Sequence, residues 1–166
     1  MPLLRLAPPA ILRDDPWRTW DGTGPRPARG PVIVPRDRLA DLAVRPLGVD
    51  LAPVDDPADL RPHLPDLALV RLHFAFPHDG RPHSQARLLR ARLGFTGELR
   101  AAGALVLDLV PHLELAGFDS AELPALEEGD LAILARIRLP RIYAPEAGAR
   151  SIWRARHAAG GGEAEP

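Results

Sequence analysis

Twice in this chain a stripe of apolar residues at helical spacing ends in Gly-Phe and hands over to a short strand, first at Gly94-Phe95 and again at Gly117-Phe118, 23 residues further on. A repeated unit of helix, glycine stop and strand marks an α/β chain whose strands pair in parallel through right-handed crossovers. The spacing predicts one helix from Ser84 as N-cap to Leu93, with Ala86, Leu89 and Leu93 on its buried stripe. A second is expected from Ala104 to Leu115, with Val106, Leu109, Val110 and Leu113 on one face. Gly94 and Gly117 supply left-handed stops. Pro111 costs about 3 kcal/mol inside a helix, so the second helix must kink or restart there.

Leu67–Phe74 is nearly continuous in apolar residues, as a strand covered on both faces requires, and reads as the central strand. Val32–Val34, Leu47–Leu51, Gly97–Ala101 and Ala121–Leu123 complete a set of five. Between them, Pro35 precedes an amphipathic turn carrying Leu39, Leu42 and Ala43, and Asp55-Asp56-Pro57 opens a helix that runs toward Leu64 until Pro65 stops it. A last helix is expected from Glu127 to Arg136, followed by an edge segment at Ile137–Tyr143. Five parallel strands fit an open three-layer sheet, the favoured architecture, or an incomplete β/α barrel. Residues 1–30, rich in Pro, Gly and charge with Trp17 and Trp20 as anchors, read as an irregular arm with room for a short hairpin. Residues 31–145 form the α/β domain, and the Ala/Gly/Glu composition of 146–166 reads as a disordered tail.

What the chain lacks narrows its chemistry. It has 166 residues, enough for one domain with a real core, and contains no Cys, no Lys, no Asn and a single Gln, Gln85. Without Lys there is no Schiff base and no Walker-type phosphate loop. Without Cys there is no thiol nucleophile, disulfide or cysteine-held iron–sulfur cluster. All 21 basic residues are arginine, which beside 20 Pro reflects a compositional bias more than an anion site. A net charge of −1 argues against nucleic-acid or membrane partners. Arg5, Pro8-Pro9 and Asp14-Asp15 interrupt any signal-peptide core, no run reaches the 18 apolar residues of a span, and a cytoplasmic location is expected.

In parallel α/β sheets ligands collect at the carboxyl ends of the strands. The loop after the central strand holds His78, Asp79, Arg81 and His83, with Ser84 at the expected helix start and Arg100 on the next strand. Asp79, Arg81, Ser84 and Arg100 are therefore the candidate ligand-binding residues, and a small oxyanion held by an arginine fork is the natural guest. Turn and cap chemistry accounts for Asp79-Gly80 and Ser84 without a ligand, Arg87 and Arg90 read as helix-surface residues, and Arg100 has Asp79 or Glu98 as pairing alternatives. Ser84, His83 and Asp79 hold the inventory of a hydrolase triad but lack a G-x-S-x-G elbow. His73, His78 and His83 lack a metal-ligand register, and His73 reads as a strand histidine satisfied by neighbours. Phe95 and Phe118 are expected as core wedges. No G-x-G-x-x-G turn follows a strand, so no nicotinamide or flavin cofactor is assigned.

The run Asp79-Gly80-Arg81, Ser84, Ala86, Leu89-Arg90, Arg92, Gly94-Phe95, Gly97-Glu98-Leu99-Arg100-Ala101, Gly103, then Asp108 and Gly117-Phe118-Asp119, resembles the bacterial domain-of-unknown-function family numbered nine hundred thirty-four. Asp14-Asp15 with Trp17 resembles that family's opening. The resemblance implies an accessory role in assimilatory sulfite reduction, with sulfite reductase or another sulfur-assimilation enzyme as partner; the family's oxidoreductase label is itself inferential. The chain departs from the family pattern at Pro82-His83, Ala104 and Leu109. A non-catalytic interaction module whose arginine-bearing helix faces a partner is the alternative, and a small-molecule hydrolase the third reading.

Overall fold

The structure, a computed structural model, describes residues 2–25, 27–41 and 45–137. Eight strands make one sheet: β1 (Leu3–Arg5), β2 (Ala10–Leu12), β3 (Arg18–Thr19), β4 (Val32–Pro35), β5 (Leu47–Leu51), β6 (Leu67–Phe74), β7 (Glu98–Gly103) and β8 (Ser120–Glu122). Their order is β2-β1-β8-β7-β6-β5-β4-β3, and every pair from β3 to β8 is parallel. The α/β class is as read from the sequence, and five of the six parallel strands are those it foretold. The other three come from the N-terminal arm, in which β1 and β2 form an antiparallel hairpin.

Consecutive strands lie side by side without reversal, the order of a β/α barrel fragment, and the sheet is curled into a half-barrel. The arm explains why it must curl. From Leu12, ending β2 on one edge, to Arg18, opening β3 on the other, the chain reaches about 22 Å at full extension. Eight strands laid flat place those edges about 34 Å apart. The connecting segment straps the sheet face between them, with Trp17 against Gly48 of β5.

Helices α1 (Arg81–Arg87), α2 (Val110–Ala116) and α3 (Glu128–Ile137) supply the cover. Val70, Leu72 and Phe74 of β6 are buried in one cluster with Ala86 of α1, Leu89 of the turn that follows it, and Val110 and Leu113 of α2. Each of the Val, Leu and Phe side chains, fully buried, stabilises the fold by roughly 1.5–3 kcal/mol. Phe95 and Phe118 are buried wedges, as expected. α2 restarts at Pro111, which sits in its first turn where its missing N–H costs nothing. Val106 lies before that restart and is exposed, outside the stripe assigned to it. Pro65 likewise sits within a short 3-10 turn, Leu64–Asp66, instead of ending a helix. Gly117 closes α2 at φ 95, and a Cβ there would lie 3.0 Å from Arg90 Cγ. Leu42, Ala43, the expected edge segment beyond Ile137 and the tail lie outside the described residues.

Candidate functional site

Asp79, Arg81 and Ser84 meet at the start of α1, at the carboxyl end of β6. The Asp79 carboxylate is buried and accepts from Arg81 three times: from the main-chain N–H at 3.1 Å, from Nε at 2.8 Å and from Nη2 at 2.8 Å. Those side-chain hydrogen bonds outweigh the loss of solvent and hold the carboxyl down at about 2. The arginine fork is thereby occupied by its own loop, although half of the side chain remains exposed. Ser84 is not the N-cap. Gly80 holds that position because Pro82, whose fixed φ suits only a first turn, sets the helix start at Arg81, and the Ser84 hydroxyl donates backward to Gly80 O at 3.4 Å. His83 packs edge-on to Phe74 (5.2 Å) and Phe118 (6.2 Å), away from any triad, and burial together with the charges of His112 and Arg87 pushes its pKa down.

Beside this loop a depression of about 630 Å³ opens between α1 and the segment after β5, lined by Val54, Asp55, Pro57, Arg81, Ser84 and Gln85 among others. Gln85, buried, donates its two amide hydrogens to Ala52 O at 2.9 Å and Asp55 O at 2.8 Å. It shares the face of Leu89 at helical spacing, and that placement of the chain's sole amide side chain was the sequence signal for it.

Arg100 lies elsewhere. Only 1% exposed, it projects from β7 on the face crossed by the strap, where its guanidinium meets Asp15, Glu98 and Glu122. Ser120 Oγ donates to Glu98 at 2.6 Å. In the same row Arg71 donates to Asp50 at 2.7 Å and to Glu122 at 3.2 Å, and His73 Nε2 lies 3.2 Å from Asp50. Burial works against both guanidiniums, yet their carboxylate partners keep them more firmly charged than usual. Burial would also raise the Asp50 carboxyl, but bonds from His73 and Arg71 hold it low. Two arginines thus face four carboxylates, so an anion could reach Arg100 only by displacing Asp15 or Glu98. The depression Arg100 lines, about 270 Å³, is walled by arm residues Asp14–Trp17 and contains none of Asp79, Arg81 or Ser84. Of the two alternatives for Arg100, Glu98 is the partner and Asp79 is not. Among the described residues no three His, Asp or Glu side chains converge as metal donors.

The helix-surface reading of Arg90 also fails. Its guanidinium donates to Gly117 O (3.0 Å), Phe95 O (2.7 Å), Gly97 O (2.8 Å) and Asp119, binding both Gly-Phe junctions to the turn that follows α1. That turn is a short π-helix, Leu88–Arg92. By contrast the side chains of Arg87 and Arg92 are exposed and form no ion pair or hydrogen bond among the described residues; they border a shallow depression of about 460 Å³ with Ser84, Leu88 and Ala91.

The model of a family described as "Bacterial protein of unknown function (DUF934)" matches residues 48–153. No curated protein and no solved structure matches the chain.

Proposed function

We propose that this chain, which belongs to the DUF934 family of bacterial proteins, is an accessory protein of sulfite reduction that works by binding, docking on sulfite reductase or another sulfur-assimilation enzyme through the arginine-bearing face of α1 and its π-helical extension. The pathway assignment follows the resemblance in the signature residues. The mode of action rests on one observation: Arg71, Arg81, Arg90 and Arg100 are all spent on carboxylates or carbonyls of the fold, while Arg87 of α1 and Arg92 of its π-helical extension stand exposed with no side-chain partner among the described residues. Unpaired arginines at an exposed surface supply the planar donor forks that partner carboxylates take up.

An oxyanion at the Asp79 loop is less well supported, since Asp79 already takes Nε and Nη2 of Arg81. The chain has no Cys with which to hold an iron–sulfur cluster, so in this reading any electrons come from the partner or from a bound cofactor. Co-elution of the purified protein with purified assimilatory sulfite reductase tests the reading. A stable peak for the wild type and its loss for Arg87→Glu/Arg92→Glu, with unchanged far-ultraviolet dichroism, are expected; no peak for the wild type, or an unchanged one for the double variant, overturns it.

A further inference from the structure

We propose that His73 and Asp50 form a hydrolytic site, in which Nδ1 of His73 is the general base for attack of water on a small uncharged ester. His73 stands at the carboxyl end of β6 on the face crossed by the strap: Val70, Leu72 and Phe74 turn toward the helices, and alternation turns Arg71 and His73 the other way. The expected strand histidine is satisfied at one nitrogen only. Nε2 lies 3.2 Å from Oδ1 of Asp50, whereas Nδ1 has no hydrogen-bond partner among the described residues and the side chain is 39% exposed. Burial raises the Asp50 carboxyl, but the bonds from His73 and Arg71 outweigh it and keep the group ionised. A carboxylate only accepts, so in the neutral ring Nε2 carries the hydrogen and Nδ1 presents its lone pair. Arg71 grips both oxygens of Asp50, so the partner that orients the ring is itself fixed. An oriented imidazole with an accessible lone pair, at the end of a parallel strand where ligands collect, is what general-base chemistry requires.

The surroundings narrow the reaction. His73 and Asp50 line a depression of about 320 Å³ with Arg36, Asp37, Ala52 and Asp55. No hydroxyl side chain lines it among the described residues, so the proton within reach of Nδ1 is that of water. Beside the ring stand methyl side chains, Ala102 of β7 in register with it and Ala52 just past β5, which leave space for a substrate carbonyl. Arg36 is already bonded to Asp59 and paired with Asp55, so it offers no free fork and an anionic substrate is disfavoured. Val54 and Phe76, exposed just past the ends of β5 and β6, give the rim an apolar surface. In the step, the water oxygen bonds to the carbonyl carbon as its proton passes to Nδ1, and Asp50 offsets the charge of the imidazolium. The bond to the alcohol oxygen then breaks and the imidazolium returns the proton to that oxygen, so ester and water become acid and alcohol with no other reactant. Arg87 and Arg92 do not line this depression, so the site stands or falls separately from docking of a partner enzyme.

Hydrolysis of p-nitrophenyl acetate by the full chain, followed by release of p-nitrophenolate, tests the proposal. Saturable turnover above the buffer rate, slower in heavy water, is expected for the wild type. His73→Ala is expected to lose about a hundredfold in rate with unchanged far-ultraviolet dichroism, and to recover when imidazole is added. Asp50→Asn, which removes the carboxylate that positions the ring, is expected to lower kcat with KM unchanged. No turnover above buffer, a rate unchanged in heavy water, a His73→Ala rate equal to the wild type, or a loss that imidazole does not restore overturns the proposal. An Asp50→Asn effect confined to KM overturns the positioning role of that carboxylate.

Discussion

Oδ2 of Asp119 accepts at once from Nη2 of Arg90 and, at 2.8 Å, from the main-chain N–H of Leu99. One carboxylate oxygen therefore joins the turn after α1 to the start of β7 and the end of α2. Because Arg90 also serves the carbonyls of Phe95, Gly97 and Gly117, the repeated Gly-Phe junction is a single bonded unit.

Arg90→Ala should then lower stability by about 3 kcal/mol, since it strips three carbonyls and a carboxylate of a charged donor. Arg90→Lys should restore little, because one ammonium cannot reproduce the planar fork. Urea midpoints of the three proteins check this.

The ion row beneath the strap is asymmetric in its tolerance. Arg100→Ala leaves Asp15, Glu98 and Glu122 facing the excess negative charge and should cost about 3–5 kcal/mol. Asp15→Ala leaves Arg100 two carboxylates and should cost only about 1 kcal/mol, with its effect concentrated in the strap. Hydrogen exchange should show faster amides at residues 13–18 in Asp15→Ala and little change in β6.

Asp79 and His83 both shape the acid limb of the stability curve, alongside Asp50, whose carboxyl, despite burial, His73 and Arg71 also hold low. Asp79 is held at about 2, below its ordinary value near 4, so its contribution is complete above about pH 4 and is lost as the pH falls toward 2. His83 has a lowered pKa, so the fold favours its neutral form; that contribution is complete above about pH 6.5 and declines as the pH drops below it. Urea midpoints between pH 7 and pH 2.5 should show His83→Leu flattening the upper part of the decline and Asp79→Asn the lower part.

Glycines of the family signature differ in what they do. A Cβ on Gly97 would meet the Phe95 ring at 2.5 Å and the Ala68 carbonyl oxygen at 2.7 Å, so Gly97→Ala should cost about 2 kcal/mol or more. Gly80 has φ −78, and a methyl group there would find nothing within 4 Å, so Gly80→Ala should lie within about 0.5 kcal/mol of the wild type. Thermal unfolding of the pair separates them.

The sequence was most legible where one physical cause acted alone. Leu47–Leu51 and Leu67–Phe74 coincide with β5 and β6 because inner strands leave runs that are mostly apolar, broken only by Asp50, Arg71 and His73, the residues that meet in the ion row. Gly94 and Gly117 could be read as stops because positive φ favours glycine. Ser84 misled because its cap propensity was weighed without Pro82, which fixes the first turn more strongly. Arg100 misled because strand alternation says which residues share a face but not which distant segment crosses that face; Asp15, 85 positions away, carries no local mark of the pairing. In the arm only the short hairpin, now β1 and β2, was legible; β3 and the docking of the arm on both sheet edges were not, because strands of two or three residues bordered by proline and charge take their pairing from the sheet edge they meet.

The central claim, that the exposed Arg87 of α1 and Arg92 of its π-helical extension recruit a sulfur-assimilation enzyme, is tested most directly by titrating purified assimilatory sulfite reductase with the wild type and with Arg87→Glu/Arg92→Glu by calorimetry at 50 and 300 mM salt. The expected result is a wild-type Kd that weakens with salt and a double variant at least tenfold weaker at 50 mM. Equal affinities for the two proteins, or no heat of binding for either, contradict the claim.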